Sequence, residues 1–356
     1  MPRELMKGNE AIAAAAIGAG CRYFFGYPIT PQNEIPEYMS RELPKVGGVY
    51  VQAESEVAAI NMVYGAAGAG ARVLTSSSSP GISLMQEGIS YIAGAELPCV
   101  LVNVMRAGPG LGGVQPSQAD YFQATKGGGH GDYHLIVLAP SNLQEAVELT
   151  QLAFDLADKY RNPAMVLADG MIGQLMEPVE LPPERPAAEL PPKDWATTGT
   201  AHSGGRRRII NSLYLYPDQL EEHVRALFRK YAAIERDEVR CELVGCDDAE
   251  VVIVAYGTTA RIARSAIAKC RALGLRAGLL RPITLYPFPY AAFAPVARSA
   301  RAFLVVEMSM GQMVDDVRIA VAGRRPVAFY GRTGGIVPTA PEIVKQVQVL
   351  REGLGA

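Results

Sequence analysis

The chain has 356 residues, of which 49% are apolar and 20% are charged, and its formal net charge is −2. This length predicts two or three globular domains with enough apolar material for their cores. The near-neutral charge, without a basic stripe interleaved with aromatic residues, argues against nucleic-acid binding. No signal peptide and no apolar run of about 18 residues is visible, so we expect a cytoplasmic protein without a membrane span.

The cysteines are few and irregularly spaced, and their number is odd. They are Cys21, Cys99, Cys241, Cys246 and Cys270. We expect reduced thiols rather than a disulfide framework. Without a C-x-x-C pattern, this chain is not expected to hold an iron–sulfur cluster. Cys241 and Cys246 have no further ligands nearby in sequence, so no metal site is expected on this chain.

The first half of the chain alternates short apolar runs with alanine-rich helical stretches, which predicts a parallel sheet covered by helices. The predicted strands are Gly48–Gln52, Arg72–Ser76, Pro98–Val104, His134–Leu138 and Ala164–Ala168. The predicted helices are Gly8–Gly18, Ser55–Ala69, Ser83–Ala95, Ser117–Lys126 and Asn142–Lys159. We assign this α/β domain to residues 1–178.

The next stretch, Glu177–Trp195, is rich in proline, which rules out a continuous helix or a central strand. We therefore predict that residues 179–248 form an extended linker. One helix is predicted within it, at Pro217–Asp237, from the helical spacing of its apolar residues. Residues 249–356 again alternate strands and helices. The strands are predicted at Val251–Tyr256, Ala277–Leu280, Ala302–Glu307 and Val327–Tyr330, and the helices at Thr259–Leu273, Tyr290–Ser299, Gln312–Ala322 and Pro341–Leu350. The expected fold class is α/β, with two doubly wound domains joined by the Pro-rich linker.

The segment Gly26-Tyr27-Pro28-Ile29-Thr30-Pro31 is predicted to be a stiff loop at a strand end. Its two prolines fix two φ angles and remove two amide donors, and each restricts the residue before it. Such a loop would hold the Thr30 hydroxyl in one place, at the edge where α/β sheets bind ligands. By themselves, however, these residues favour an ordinary connecting loop.

Two later strand ends carry charged residues. Glu54 and Glu56 stand where a strand passes into a helix, and carboxylates there commonly cap the helix. Arg106 follows an apolar strand; arginine can bind a carboxylate with two parallel hydrogen bonds, although a solvated loop arginine is more common.

Gly108–Gly113 matches G-x-G-x-x-G, but no helix begins after it, so we reject a dinucleotide site. Thr75–Ser79, before Pro80-Gly81, is predicted to be another strand-end loop, and its serines lack the context of a serine hydrolase.

Taken together, these segments resemble the α subunit of thiamine-diphosphate-dependent 2-oxoacid:ferredoxin oxidoreductases, above all through Tyr27-Pro28-Ile29-Thr30-Pro31. The resemblance implies a pyrimidine-binding-type domain followed by a transketolase C-terminal-like domain. It implies that Tyr27, Pro28 and Ile29 line the cofactor site and that Thr30 hydrogen-bonds the 2-oxoacid. The family often has small polar residues where Gln32 and Asn33 stand here, so no contact is carried over to those two positions.

The resemblance extends to the two charged strand ends. Ser55-Glu56-Val57-Ala58-Ala59 is similar to the family segment whose glutamate hydrogen-bonds the aminopyrimidine of the cofactor, which implies that role for Glu56, with Glu54 as the second candidate. Arg106 matches the arginine that binds the 2-oxoacid carboxylate. The implied catalytic set is Glu56, Arg106 and Thr30. Thr75–Ser79 is similar to the family turn beside the cofactor.

The implied reaction is oxidative decarboxylation of a 2-oxoacid with coenzyme A, giving acyl-CoA and carbon dioxide with ferredoxin as the electron acceptor. The resemblance implies that a separate β subunit holds Mg²⁺ and the diphosphate, and the lack of a Gly-Asp-Gly plus Asn motif in this sequence is consistent with that. The expected partners also include a small ferredoxin-like subunit and ferredoxin, with [4Fe-4S] clusters on partner chains, in a hetero-oligomer with a two-fold dimer.

The methionine-rich segment Val305–Met313 is predicted either to contact a partner subunit or to pack in the core. It resembles branched-chain members of the family, so the favoured substrate is a branched-chain 2-oxoacid such as 3-methyl-2-oxobutanoate. A 2-oxoglutarate or pyruvate enzyme remains an alternative. So do a non-redox thiamine-diphosphate decarboxylase or transketolase-like half, and an assembly subunit with a vestigial site.

Overall fold

The computed structural model describes residues 3–355, which form three sheets and their covering helices. The first half contains β1 (Glu4–Lys7), α1 (Gly8–Gly18), β2 (Tyr23–Gly26), α2 (Glu34–Glu42), β3 (Val49–Gln52), α3 (Glu56–Gly68), β4 (Val73–Ser77), α4 (Ser79–Gly94), β5 (Val100–Met105), α5 (Tyr121–Thr125), β6 (Ile136–Leu138), α6 (Leu143–Tyr160), β7 (Ala164–Asp169), α7 (Gly170–Gln174) and β8 (Met176–Val179). The second half contains α8 (Pro217–Asp237), β9 (Cys241–Val244), β10 (Val251–Val254), α9 (Gly257–Ala272), β11 (Ala277–Pro282), β12 (Thr284–Tyr286), α10 (Tyr290–Ser299), β13 (Ala302–Glu307), α11 (Met313–Val321), β14 (Val327–Gly331) and α12 (Ala340–Gly353).

The first sheet has seven strands in the order β12-β6-β7-β5-β4-β2-β3, and all neighbours are parallel except the antiparallel pair β12 and β6. Every residue of β4, β5 and β7 is buried, because helices α3 and α4 cover one face and α1 and α6 cover the other. Since β5, β4, β2 and β3 are parallel neighbours, the loops that follow them meet at one edge of the sheet.

The second sheet has the order β14-β13-β10-β11-β9, with only β9 antiparallel to its neighbour. Helices α9 and α12 cover one face, and α10 and α11 cover the other. The core under α10 and α11 is continuous with the core under α3 and α4. The two halves are therefore joined by shared apolar burial as well as by the chain.

The segment after β8 runs along the first domain. Its backbone bonds the end of α1 through Arg185 N–H to the Gly18 carbonyl (2.8 Å) and the end of α3 through Thr197 N–H to the Gly68 carbonyl (2.9 Å). Trp195 lies under the guanidinium of Arg161, 4.6 Å from its ring centre. Helix α8 then buries Leu227, Tyr231 and Ile234 in the core beneath α1 and α6.

The main predicted strands and helices are confirmed, and five strands that were not predicted are present. Strand β2 lies between β3 and β4 but has only four residues before the proline loop. Strands β1 and β8 form a two-stranded antiparallel ribbon at the surface. Strands β9 and β12 are antiparallel edge strands of the two larger sheets. Short edge strands lack the long apolar run that marks a buried parallel strand.

Two local predictions were wrong. Thr75–Ser79 is not a loop: β4 continues to Ser77 and α4 begins at Ser79, with Pro80 in its first turn, where proline is favoured. The helix predicted over Ser117–Lys126 has only the residues of α5, because the preceding backbone is bonded to the second domain instead. None of the described helices is long and apolar enough to span a membrane.

Candidate active site

The carboxyl edge of the first sheet brings the predicted site residues onto adjacent strands. Arg106 follows β5, Ser78 follows β4, the Tyr27–Thr30 loop follows β2, and Glu56 opens the helix after β3. These strands are consecutive in the sheet, so the residues at their ends lie along one edge, where parallel α/β sheets bind ligands in a crevice.

The loop after β2 is held from below by buried amides. Gln32 is completely buried, accepts a hydrogen bond from Ser76 Oγ at 2.6 Å and donates to the Tyr27 carbonyl at 3.3 Å. Asn9 donates to the Pro31 carbonyl at 2.7 Å. Gln32 therefore fixes the loop against β4, a role that the sequence could not indicate because glutamine at this position departs from the family pattern.

Thr30 and Arg106 are in direct contact. Arg106 Nη1 donates to the Thr30 carbonyl at 3.0 Å, while the Thr30 hydroxyl accepts a weaker bond from Asn33 Nδ2 at 3.4 Å. Within the described part of the chain, the buried Nε of Arg106 has no hydrogen-bond partner. The guanidinium thus retains donors for an anion in the crevice.

The two glutamate candidates differ in where they lie. Glu56 is only 5% exposed and is the first residue of α3, after Ser55 caps the helix by accepting from the Ala58 amide at 3.2 Å. Glu54 is exposed. Glu56 Oε1 faces Gly81 in α4, where a Cβ atom would lie 2.5 Å from it and would overlap Ser77 Oγ. Glycine at position 81 is therefore required for the Glu56 carboxylate to occupy this place.

Buried hydroxyl groups in β4 and just after it have no partner in the described structure. They are Thr75 Oγ1, Ser77 Oγ and Ser78 Oγ, of which Ser77 Oγ lies with Glu56 Oε1 at the place that a Cβ of residue 81 would occupy. Buried polar groups without partners cost free energy, and a cluster of them next to a carboxylate marks a place for a polar ligand. The Ser77 hydroxyl and the Glu56 carboxylate, which approach each other where Gly81 has no Cβ, offer the kinds of donor and acceptor that an aminopyrimidine ring requires.

The residues predicted to line the cofactor site border the same edge. Tyr27 is 37% exposed, Pro28 is exposed and Ile29 is half-buried. None of the three is buried in the core, so each has surface available to a ligand or to another chain. Sequence reasoning missed Ser77 and Gly81 as individual site residues, because small residues at a strand end and a helix start are common.

A cavity of about 480 Å³ adjoins the Thr30 side of the crevice. Its lining is Thr30, Pro31, Asn33, Glu34, Val114, Gln115, Pro116, Gly170, Met171, Gln174 and Leu175. Glu34 is the one charged residue in this set, and it accepts hydrogen bonds from Lys7 Nζ (3.0 Å) and Asn9 Nδ2 (2.7 Å). Burial opposes its ionisation, but these hydrogen bonds outweigh burial and the pKa of Glu34 lies below its ordinary value.

The methionine-rich turn after β13 divides between core and surface. Met308 and Met313 are buried, and Met310 is 78% exposed. Packing in the core therefore accounts for two of the three methionines, and Met310 alone presents an apolar side chain to solvent.

Comparison with known proteins identifies the family of this chain. The family model described as pyruvate flavodoxin/ferredoxin oxidoreductase, thiamine diphosphate-binding, matches residues 14–241, and the model of pyruvate:ferredoxin oxidoreductase core domain II matches residues 249–343. Ketoisovalerate oxidoreductase subunit VorB of Methanothermobacter marburgensis is 51% identical, covering 98% of both chains. 2-Oxoglutarate synthase subunit KorA of Archaeoglobus fulgidus is 40% identical, covering 93% of this chain and 95% of its own.

Among solved structures, 2-oxoglutarate:ferredoxin oxidoreductase from Magnetococcus marinus, with 2-oxoglutarate, coenzyme A and succinyl-CoA bound, matches with a TM-score of 0.86 and 29% identity. The match covers 98% of this chain and 65% of that chain. A split-gene transketolase with 13% identity and a TM-score of 0.60 shares the fold. The extent of these matches shows that this chain belongs to the thiamine-diphosphate-dependent 2-oxoacid:ferredoxin oxidoreductase family.

Proposed function

We propose that this chain is the α-type subunit of a CoA-acylating 2-oxoacid:ferredoxin oxidoreductase that acts on a branched-chain 2-oxoacid such as 3-methyl-2-oxobutanoate. The observation that carries the proposal is the contact of Arg106 with the Thr30 loop, on the sheet edge that also carries the buried Glu56. A carboxylate-binding cation and a buried carboxylate at one edge are what this chemistry requires.

Glu56 is assigned to the aminopyrimidine of thiamine diphosphate. When bound, that cofactor supplies the electron sink for loss of carbon dioxide. The chain's own part is to hold a ring nitrogen by hydrogen bonding at the Glu56 carboxylate, with the Ser77 and Thr75 hydroxyls available to other polar atoms of the ring. Tyr27, Pro28 and Ile29 would form the adjacent wall of the site.

Arg106 and Thr30 are assigned to the 2-oxoacid. The guanidinium binds the carboxylate with charge-assisted hydrogen bonds, and the Thr30 hydroxyl donates to an oxygen of the same substrate. Their contact fixes the relative position of the two groups. The substrate is thereby oriented before reaction, which reduces the entropic part of the barrier.

The preference for a branched-chain acid is supported by the cavity beside Thr30. Proline, valine, methionine and leucine side chains line it, and its lining residues include neither lysine nor arginine. Lys7, at the border of this cavity, is already paired with Glu34 at 3.0 Å. The distal carboxylate of 2-oxoglutarate would therefore lose hydration there and meet the ionised Glu34 without an unpaired cation among the lining residues. An apolar branched side chain has no such cost. The similarity to subunit VorB points the same way.

The remaining parts of the enzyme are assigned to other chains. We infer that a β subunit holds Mg²⁺ and the diphosphate, that a small ferredoxin-like subunit and the [4Fe-4S] clusters complete the electron path to ferredoxin, and that coenzyme A is the acyl acceptor. The assembly would be a cytoplasmic hetero-oligomer with a two-fold axis. Support comes from the lack of a Gly-Asp-Gly plus Asn motif in this sequence.

The test is a substrate panel on the co-purified complex, with coenzyme A and a viologen dye as the electron acceptor. We expect the highest kcat/KM with 3-methyl-2-oxobutanoate and formation of the corresponding acyl-CoA. Highest activity with 2-oxoglutarate would refute the substrate assignment. Release of carbon dioxide from the 2-oxoacid without reduction of the dye would refute the redox assignment.

The same assay tests the role of Arg106. Arg106→Ala should raise the KM for the 2-oxoacid by about 100-fold, because the substrate carboxylate loses its charged partner. Arg225→Ala, which removes an exposed arginine from α8, is the control and should leave KM unchanged. An unaltered KM in Arg106→Ala would place the carboxylate elsewhere.

A further inference from the structure

A short segment of the first domain, Ser117–Phe122, is bonded to the second domain. Gln118 is completely buried; its backbone N–H donates to the Met308 carbonyl (2.9 Å) and its side-chain Nε2 donates to the Tyr256 carbonyl (2.8 Å). The amide of Met308 in turn donates to Gln118 Oε1 at 3.0 Å. The ends of β10 and β13 thus fix the position of this segment.

The second domain also binds the residues on both sides of Asp120. Gln312 Nε2 donates to the Ala119 carbonyl at 2.6 Å, and Gln312 Oε1 accepts from the Phe122 amide at 2.8 Å. A single side chain at the start of α11 therefore spans Asp120 and leaves its carboxylate directed away from the second domain, toward the first.

One carboxylate oxygen of Asp120 accepts hydrogen bonds from two side chains of the first domain. Its Oδ2 accepts from Ser79 Oγ at 2.6 Å and from Asn103 Nδ2 at 2.9 Å. Asn103 Oδ1 also accepts from the Ser79 amide at 3.1 Å. Burial raises the pKa of Asp120, and the bonds from Ser79 and Asn103 act against that rise. The carboxylate is thus a mostly buried acceptor whose partners are all on β5 and α4.

Ser79 connects this cluster to Arg106. The Ser79 hydroxyl has one proton, and the short bond to Asp120 uses it. A lone pair of the same oxygen is then free to accept the backbone N–H of Arg106, at 3.0 Å. Without Asp120 the hydroxyl could turn its proton to the Arg106 carbonyl, which lies 3.3 Å away, and release that N–H.

We propose that Asp120 is a positioning residue for Arg106 and the point at which the second domain is coupled to the substrate site. Asp120 orients the Ser79 hydroxyl, which fixes the backbone of Arg106 and so aims its guanidinium at the Thr30 side of the crevice. The inference rests on the proposed role of Arg106 in binding the 2-oxoacid carboxylate. It gives the second domain a function in the site although it contributes no side chain to the crevice described above.

The first test is Asp120→Ala in the complete complex, with Asp120→Asn as the conservative variant. We expect Asp120→Ala to raise the KM for the 2-oxoacid about tenfold, as for loss of one buried hydrogen-bond acceptor, with kcat within about threefold. Asp120→Asn keeps an acceptor oxygen and should recover most of that loss. A second readout is the affinity of the thiamine-depleted complex for the 2-oxoacid by calorimetry, which should weaken by a similar factor.

Tyr121→Phe is the matched control. Tyr121 is the next residue, is completely buried, and donates to Asp316 of the second domain at 2.6 Å, but it makes no bond to Ser79, Asn103 or Arg106. It should lower the unfolding temperature without changing KM. If Tyr121→Phe and Asp120→Ala changed KM equally, the effect would be general loosening of the domain contact and the proposal would be wrong.

A double-mutant cycle separates this inference from the proposed function. In an Arg106→Ala background, Asp120→Ala should have almost no further effect on KM, because Asp120 acts through Arg106. An undiminished tenfold effect there would overturn the positioning role. If Arg106→Ala alone left KM unchanged, the proposed function would fail instead. If Arg106→Ala raised KM and both Asp120 variants did not, only the present inference would fail.

Discussion

Two buried glutamates at strand ends, one in each domain, have opposite surroundings. Glu307 ends β13, is completely inaccessible, and accepts hydrogen bonds from Ser309 Oγ (2.9 Å) and from the backbone amides of the following turn and helix. Glu56 opens α3 at the corresponding edge of the first sheet, and the nearby Ser77 hydroxyl has no partner in the described structure.

The contrast indicates which acid serves the fold and which is available to a ligand. Burial raises the pKa of Glu307, while the amides of Gln312 and Met313 and the Ser309 hydroxyl favour its ionised form. Its acceptor capacity is used within the protein, to hold the first turn of α11. At Glu56 the adjacent Ser77 hydroxyl is unused, which is costly for a protein alone and understandable where a cofactor binds.

The largest effect is expected from Glu56→Gln. The amide keeps the size of the side chain but loses the carboxylate that would bond the aminopyrimidine, so turnover should fall by about 10²–10⁴-fold. Hydrogen–deuterium exchange at C2 of the bound cofactor should slow in parallel, as followed by NMR. The unfolding temperature of the complex should be unchanged.

Glu54→Gln is the control for that experiment, because Glu54 is exposed. We expect normal turnover and normal exchange. Slow exchange in Glu54→Gln with normal exchange in Glu56→Gln would transfer the cofactor role to Glu54. The contrast between Glu56 and Glu307 would then no longer hold.

The same substitution at Glu307 should give the reverse result. In Glu307→Gln an amide NH₂ replaces one acceptor oxygen and faces backbone N–H groups, which should cost about 2 kcal/mol of stability. The variant should unfold at a lower temperature by calorimetry, and its turnover per folded complex should stay within about twofold. Unchanged stability together with lost activity would mean that Glu307 is not a structural acid.

The smallest effect is expected from Gly81→Ala. The added Cβ would lie 2.5 Å from Glu56 Oε1 and would overlap Ser77 Oγ, so the Ser77 hydroxyl and the Glu56 carboxylate must both move away from their present places. We expect the affinity for thiamine diphosphate to fall about tenfold, measured by calorimetric titration of the cofactor-free complex.

Gly65→Ala in α3 is the control for that prediction, because a Cβ there has no atom within 4 Å in the described structure. It should leave cofactor affinity unchanged. Equal affinity in Gly81→Ala and Gly65→Ala would show that the space at Gly81 is not part of the cofactor site.

The buried parallel strands were predictable from sequence because a strand covered on both faces needs an uninterrupted apolar run, as in Val100–Met105. Thr30, Glu56 and Arg106 were also predictable as candidates, since each stands in a recognisable segment at a strand end. The residues that surround these three in the fold were not predictable from the sequence. Gln32, Ser77 and Asp120 acquire their roles through partners distant in sequence, and periodicity contains no information about those partners.

The edge strands were unpredictable for a different reason. The three-residue strand Thr284–Tyr286 lies in a short segment between Pro282 and Pro287. Its own sequence gives no sign that it pairs with Val137 and Leu138 from the other half of the chain. Whether this segment forms a strand depends on the long-range arrangement of the two domains. Local propensity is overridden whenever such pairing completes a sheet.

Strand β12 also has an evolutionary consequence. It belongs in sequence to the second half but closes the edge of the first sheet against β6. A gene cut at the linker would leave that edge unpaired and prone to sticking to other strands. We therefore expect the two halves not to be interchangeable modules, and recombination between relatives to be tolerated only if β12 and its acceptor edge are inherited together.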